Sequence, residues 1–356
     1  MAGSCCRSGA RARGGDILTI LSVAYPFAPV SLDSAGGAEQ ILALLDRGLN
    51  AAGHHSIVIA AEGSRVMGEL IAIPADNAES DSTYRRWQST ICEVLRGRRV
   101  DVVHFHGLDF FHYLPAAGPP ALVTLHLPPS FYPETIFNLP RAHTWLNCVS
   151  ASQASACPPS ALMTPVIENG VPLDLLKAPN APAEDYVLAL GRICPEKGFH
   201  LAIDAAEKAG VPLYLAGKLF PYPEHEQYWH QVLQPRLSPP HRFLGPVGIA
   251  EKVRLMASAR CVLIPSLVAE TSSLVAMESL ACGTPVVAFP SGALAEVIEE
   301  GRTGFLVRDA DEMARAIAGV DRLDAAVCRS AASERFSAER MVREYSQLYV
   351  SFLASS

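Results

Sequence analysis

The 356-residue chain has no C-x-x-C pair, no G-x-G-x-x-G stretch and no apolar run near the ~20 residues that a membrane-crossing helix needs. Each absence removes a class of protein. Without the glycine fingerprint a dinucleotide-dependent oxidoreductase is a remote reading. The nine cysteines, Cys5, Cys6, Cys92, Cys148, Cys157, Cys194, Cys261, Cys282 and Cys328, are odd in number and irregularly spaced. Most sit in apolar contexts, which fits reduced thiols in a cytosolic protein and neither a disulfide framework nor a zinc site. A concentrated basic patch is also missing: the formal charge is -7 and the arginines are scattered, so nucleic acid is not an expected partner.

What is present is length and apolar content. A chain of this size is expected to form two domains, and 49% hydrophobic residues suffice for two full cores. The basic first fifteen residues followed by apolar Ile17 to Tyr25 loosely imitate a secretory leader. Pro26 and Pro29 interrupt that run, and residues 1–15 are expected to be a disordered tail.

Beyond the tail, short β-rich runs alternate with helix-length amphipathic segments, the signature of βα units on parallel sheets. Strands are expected at Ile17–Val23, Ser56–Ala60, Val100–Phe105, Ala121–Leu125, Thr144–Val149 and Pro165–Ile167, with a helix from Ala38 to about Ala52. Pro179–Glu184 is the linker candidate. After it the alternation restarts with strands at Tyr186–Leu190, Leu213–Ala216, His241–Leu244, Cys261–Pro265, Pro285–Phe289 and Gly304–Val307. Phe199–Ala209 and a segment from about Thr271, stopped by Gly283, read as helices. Ser337–Ala354 is helical in pattern, either as simple packing or as a return to the first domain.

Four segments could carry chemistry. Between Cys261 and Ala295 the only charged residues are Glu270 and Glu278, eight apart. Placed on one helix they would lie ~12 Å apart along its axis. They either reach solvent at a helix surface or face a polar ligand, and the N–H groups of Thr271, Ser272 and Ser273 at a helix start would favour an anion. In LALGRICPEKGFH, Gly191 and Arg192 follow a strand and Lys197 precedes a helix. Both cations should emerge where open α/β sheets bind ligands, and a forked and a compact cation suit a diphosphate. Pairing with Glu196 is the bland alternative. Gly36 and Gly37 open a helix and would let backbone approach an oxyanion, or would simply make a turn. His104 and His106 share one face of a strand and His126 ends the next, but no third ligand of conventional spacing follows, so no metal site is expected there.

Two further patterns are read as structural. Asp309-Ala310-Asp311 imitates a metal-binding D-x-D but immediately precedes a helical run, where Asp309 and Glu312 form an acidic capping box. In TYRRWQSTICEVLRGRR, Tyr84, Trp87, Ile91 and Val94 make a core stripe, while Arg85, Arg86, Arg96, Arg98 and Arg99 are solvated. Attachment to anionic lipid stays open, so localisation is expected to be cytoplasmic with room for peripheral contact at the inner membrane face.

In their order, ETSSLVAMESLACGTPVVAFPSGALAEVIEEGRTGFLV, GRICPEKG, ENGV and GGAEQ resemble the retaining, sugar-nucleotide-dependent glycosyltransferases of family 4, with their E-x7-E motif. The resemblance spans about Ile17 to Phe352. It implies an α/β GT-B fold of two Rossmann-like doubly wound domains facing across a cleft: residues 16–178 on the acceptor side, 179–335 binding the nucleotide sugar, and 336–356 packing back. Arg192 and Lys197 would bind the diphosphate, Glu278 the ribose hydroxyls and Glu270 the hydroxyls of the donor sugar. Thr271, Ser272, Ser273 and Leu274 would offer backbone to sugar and phosphate. His126 would lie beside the transferred sugar, Gly36, Gly37 and Gly191 along the cleft, and Val247 near the base. The implied reaction moves a sugar from a UDP-, GDP- or ADP-sugar to a saccharide, lipid-linked or small-molecule hydroxyl, with no metal or other cofactor. A GT-B epimerase or phosphorylase and a silent nucleotide-sugar-binding partner subunit are the rivals. Ser272 and Ser273 stand where the family often has glycine, and Ser279 replaces a common alanine. Exchanging Lys197 or Glu278 for Ala is expected to weaken nucleotide binding and leave the fold intact.

Overall fold

The computed structural model describes residues 17–74, 80–177 and 184–354. The expected N-terminal tail, and the linker apart from Glu184, lie outside the described residues. Among the described residues twelve strands form two six-stranded sheets in which every pairing is parallel. The first holds β1 (Thr19–Val23), β2 (His55–Ala61), β3 (Glu69–Ile73), β4 (Val102–Phe105), β5 (Ala121–Leu125) and β6 (Thr144–Cys148). The second holds β7 (Val187–Leu190), β8 (Leu213–Ala216), β9 (Arg242–Gly245), β10 (Val262–Ile264), β11 (Val286–Ala288) and β12 (Gly304–Leu306). Their orders are β3-β2-β1-β4-β5-β6 and β12-β11-β10-β7-β8-β9, the same doubly wound sequence of neighbours in each.

The helices between them are α1 (Gly37–Ala51), α2 (Asp81–Gly97), α3 (Ala151–Ser155), α4 (Phe199–Ala209), α5 (Pro223–Tyr228), α6 (Ile249–Ser258), α7 (Leu274–Cys282), α8 (Leu294–Val297), α9 (Ala310–Ile317), α10 (Ala325–Arg335) and α11 (Ala338–Ala354). None is long and apolar enough to cross a membrane. Central strands read as continuous apolar runs because helices cover both faces of each sheet. In α1, Ile41, Leu42, Leu44, Leu45 and Leu49 are buried at helical spacing, and in α2 Trp87, Ile91 and Val94 are. The Asp309 carboxylate accepts a 2.8 Å hydrogen bond from the Glu312 amide at the start of α9, so D-x-D there is a helix cap.

The long last helix leaves the second domain and packs on the first. Met341, Val342, Tyr345, Tyr349 and Phe352 join Leu18, Ile20, Ile41, Leu45, Val102 and Leu122 in one buried cluster. A polar thread runs through it: His104 bonds Tyr349 Oη through Nδ1 (2.7 Å) and Thr124 Oγ1 through Nε2 (2.8 Å), and Tyr345 donates to Asn147 Oδ1 (3.0 Å). Both ring nitrogens of His104 are thereby used, which makes it a satisfied core residue.

Three expectations are corrected. Pro165–Ile167 forms no strand; the chain pairs with β6 earlier, through an isolated bridge between Leu146 and Met163, and Pro165 then supplies no N–H to continue a ladder. Strand β3 was not anticipated, because Glu69–Ile73 is a half-exposed edge strand without a long apolar run. Helix α7 starts at Leu274 and not near Thr271. Glu270 is held instead in a bridge with Gly292, so the two glutamates do not share a helix and the axial spacing does not apply.

Candidate functional site

In a doubly wound sheet, ligands bind at the carboxyl ends of strands where the strand order reverses. In the second sheet that point lies between β7 and β10. The loop after β7 is Gly191–Gly198 and the loop after β10 is Pro265–Ser273, so the topology unites two segments some seventy residues apart. Their join is fixed by backbone. Leu267 N donates to Glu196 O at 2.8 Å, and Gly198, with φ +63°, lies so close to Pro265 that a Cβ would come within 2.2 Å of its carbonyl oxygen. Gly292 at φ +61° does the same for Glu270, whose carbonyl accepts from Ala293 N at 2.9 Å.

At this join Lys197 Nζ meets Glu270 Oε1 at 2.6 Å, and Ser266 Oγ donates to the same oxygen at 2.6 Å. The proposed pairing of Lys197 with Glu196 is thus not the one found. Arg192 is exposed. The start of α7 has no side-chain cap: Ser273, at the cap position, is buried without such a bond, and the buried Ser272 hydroxyl has no partner. The first N–H groups of the helix are left to whatever occupies the rim. Glu278, 4% exposed on α7, is paired with Lys252 of α6 at 2.5 Å. Val247 lies in the short loop between β9 and α6 and packs against the buried cluster that includes Val253, Met256 and Ala276.

The first sheet presents its own carboxyl-end loops to this rim. Thr271 Oγ1 donates to the His126 carbonyl at 2.9 Å, Ile249 N donates to Asp33 Oδ1 at 3.0 Å, and a Cβ on Gly37 would touch Leu274 at 3.4 Å. Glu39, in the first turn of α1, is buried; desolvation raises its carboxyl above the ordinary range, against its own backbone hydrogen bond and the charge of Arg192 across the gap. His126 Nε2 and His106 Nδ1 are 3.0 Å apart. Burial pushes His126 down to about 4, and burial first, then the neighbouring imidazoles, pushes His106 well below its usual range. His106 Nε2 is buried without a partner.

The structure therefore gathers Gly36, Gly37, His126, Gly191, Arg192, Lys197, Glu270, Thr271, Ser272, Ser273 and Leu274 along two facing rims, with Glu278 one step behind. Sequence reasoning missed Lys252, Ser266, Glu39 and the pairing role of His106. Lys252 left one signal: it falls on the buried stripe of α6 with Val253 and Met256, where an unpaired ammonium would be too costly to keep. A groove of about 750 Å³ between α1 and α11, lined by Leu44, Gly48, Val342 and Val350 among others, contains none of the anticipated site residues.

Two facing parallel sheets whose carboxyl-end loops meet in this way define the GT-B architecture. Residues 35–157 match the family described as Glycosyltransferase Family 4 and residues 184–320 match Glycosyl transferases group 1, so each half of the chain is similar to a glycosyltransferase domain. D-inositol 3-phosphate glycosyltransferase of Mycobacterium avium (strain 104) is 35% identical over 173 residues, covering 46% of this chain and 38% of that protein. The chain spans well under half the length of that relative. Among solved structures, AviGT4, a glycosyltransferase involved in avilamycin A biosynthesis, superposes with a TM-score of 0.74 at 25% identity, over 95% of this chain and 99% of that one. Anabaena HepE bound to UDP-glucose shares the fold, with a TM-score of 0.72 at 21% identity over 94% and 100% of the two chains.

Proposed function

We propose that the chain is a retaining glycosyltransferase that moves a sugar from a UDP-, GDP- or ADP-sugar to an acceptor hydroxyl without a metal ion. The observation that carries the reading is the uncapped start of α7 beside Arg192 and the Lys197–Glu270 pair, opposite His126. The difficult step is charge separation: the anomeric carbon becomes cationic as negative charge grows on the leaving diphosphate. Arg192, Lys197 and the N–H groups of Thr271 to Leu274 supply fixed positive potential where that charge develops, the kind of preorganisation that dominates many enzymes.

In this reading Glu270 binds hydroxyls of the donor sugar, held in place by Lys197 and Ser266, and Glu278 binds the ribose from a position braced by Lys252. Val247 borders the base. Gly36, Gly37 and Gly191 let backbone approach the phosphates, and the neutral imidazole of His126 bonds the transferred sugar. The acceptor oxygen attacks on the face the diphosphate leaves, and the acceptor proton passes to a donor phosphate oxygen. Residues 16–178 serve the acceptor and 179–335 the donor, with 336–356 tying the second domain to the first; closure of the pair excludes water.

The glycosyltransferase names of the relatives support the reading, and HepE, captured with UDP-glucose, makes that sugar the first donor to try. Thermal shift with UDP-, GDP- and ADP-sugars, followed by release of nucleoside diphosphate over an acceptor panel, tests it. Release that depends on an acceptor, gives a product of unchanged anomeric configuration and persists in excess chelator is the expected outcome. Epimerised donor formed with no acceptor would overturn it, as would nucleotide binding with no turnover.

A further inference from the structure

Behind the loop that carries Arg192 and Lys197, three side chains of different chemistry converge. Cys194, Glu196 and His225 each offer a ligand atom, all within 4.8 Å of one another, and they are the only such trio among the described residues. Cys194 precedes the tight turn Pro195–Lys197, Glu196 lies inside it, and His225 is brought across from α5. Cys194 is 3% exposed and His225 9%.

A second observation is independent of that convergence. His225 Nδ1 is buried with no hydrogen-bond partner. Burying an imidazole nitrogen without a partner forfeits its hydration and returns nothing, so native structures rarely keep one without use. Tyr222 covers the ring edge-to-face, with centroids 5.1 Å apart, which holds the imidazole in a fixed orientation.

The donor set selects the ion. A thiolate, an imidazole and a carboxylate suit Zn²⁺, whereas Mg²⁺ and Ca²⁺ prefer oxygen alone. With Zn²⁺ bonds of ~2.0–2.3 Å, ligand atoms sit roughly 3.3–3.8 Å apart, so a trio lying within 4.8 Å need close by no more than about 1–1.5 Å. Rotation of the exposed Glu196 and the short Cys194 side chain accommodates this.

We propose that Cys194, Glu196 and His225 form a Zn²⁺ site, its fourth position open to solvent, that ties the Arg192–Lys197 loop to α5. The step is a proton exchange: Cys194 Sγ–H gives its proton to solvent as the Sγ–Zn bond forms, with no change of oxidation state. A thiol must lose its proton to bind the ion, so affinity rises with pH. The site uses none of the residues assigned to donor binding and does not rest on the transferase reading.

Equilibrium dialysis of the metal-free full chain against Zn²⁺, with Co²⁺ as a spectroscopic substitute, tests the site without any assay of turnover. The expected result is one ion per chain, a thiolate-to-cobalt charge-transfer band, release of about one proton per ion, and a rise in Tm with Zn²⁺. Cys194→Ser should remove the band, and Cys194→Ser, His225→Ala and Glu196→Gln should each weaken binding by at least the ~10–100-fold that loss of a mere outer-shell partner costs. Glu196 is exposed, so its variant keeps the test valid if a core variant misfolds. Absence of stoichiometric binding, binding unchanged in Cys194→Ser and Glu196→Gln, or a cobalt spectrum without a thiolate band would overturn the proposal.

Discussion

The two sheets run their strands in the same order, yet the rims they hold toward each other are chemically opposite. The first rim is built of Gly36, Gly37, His106 and His126, with imidazoles kept neutral by burial and one buried carboxyl, Glu39. The second is charged: Arg192, the Lys197–Glu270 pair and, behind it, Lys252–Glu278. Winding order decides only where loops end; the side chains on those loops decide what the rim can bind. The second rim adds a contrast of its own. Its two ion pairs are similar in length but differ in burial, with side chains 23% and 13% exposed for Lys197 and Glu270 against 10% and 5% for Lys252 and Glu278.

That contrast predicts unequal costs. Lys252→Ala leaves Glu278 buried and unpaired, which should cost about 3–5 kcal/mol in chemical denaturation. A loss under ~1 kcal/mol, the value of a surface pair, would make the two pairs equivalent. Glu278→Ala strands Lys252 in the same way and should cost a similar amount of stability, besides the weakened nucleotide binding expected of it.

The neutral rim should show itself in acid. His126 is held near 4, below its ordinary ~6.5, so as pH falls the unfolded chain takes up a proton before the folded one does. Stability should therefore drop between about pH 6.5 and 4, by on the order of 3 kcal/mol from this group, and level off below. His104 and His106, lowered by burial, act in the same direction. Urea midpoints at neutral pH and near pH 4.5 measure the drop, and a midpoint that rises toward acid would contradict a neutral rim.

Lys197→Ala should do the reverse of Lys252→Ala, sparing the fold and weakening nucleoside diphosphate binding roughly 10–100-fold, about 1.4–2.8 kcal/mol. Ser266 remains to bond Glu270 in that variant. Unchanged affinity in calorimetry would remove Lys197 from the donor site. The smallest effects test what the domains share. Ser80 caps α2 in the first domain and Asp309 caps α9 in the second, and alanine at either should cost about 1 kcal/mol. A cap worth much more in one domain would show that the two halves are not built on equal terms.

Legibility followed the range of the forces involved. Ala121–Leu125, Phe199–Ala209 and Leu213–Ala216 fall where the sequence pattern puts them, because apolar periodicity and glycine stops are local signals. Glu69–Ile73 escaped notice because an edge strand needs no continuous apolar run. The start of α7 was misjudged for a different reason: a bridge to Gly292, twenty-two residues on, holds Glu270 extended where helix propensity alone would permit another turn. Arg192, Lys197, Glu270 and Glu278 stood out as charges in apolar surroundings. Their partners did not, since Lys252 and Ser266 become partners only through folding.

The sequence alone determined the doubly wound class, the order of its strands and helices along the chain, and which charged residues were too isolated to be surface decoration. Periodicity and composition carry that information because each is written within one helix or strand. Only the tertiary structure decided that Lys197 pairs with Glu270, that Lys252 braces Glu278, that His126 lies against Thr271, and that Cys194, Glu196 and His225 converge. Those contacts join loops far apart in the chain, and it is the register and crossover of parallel strands that bring such loops to one edge.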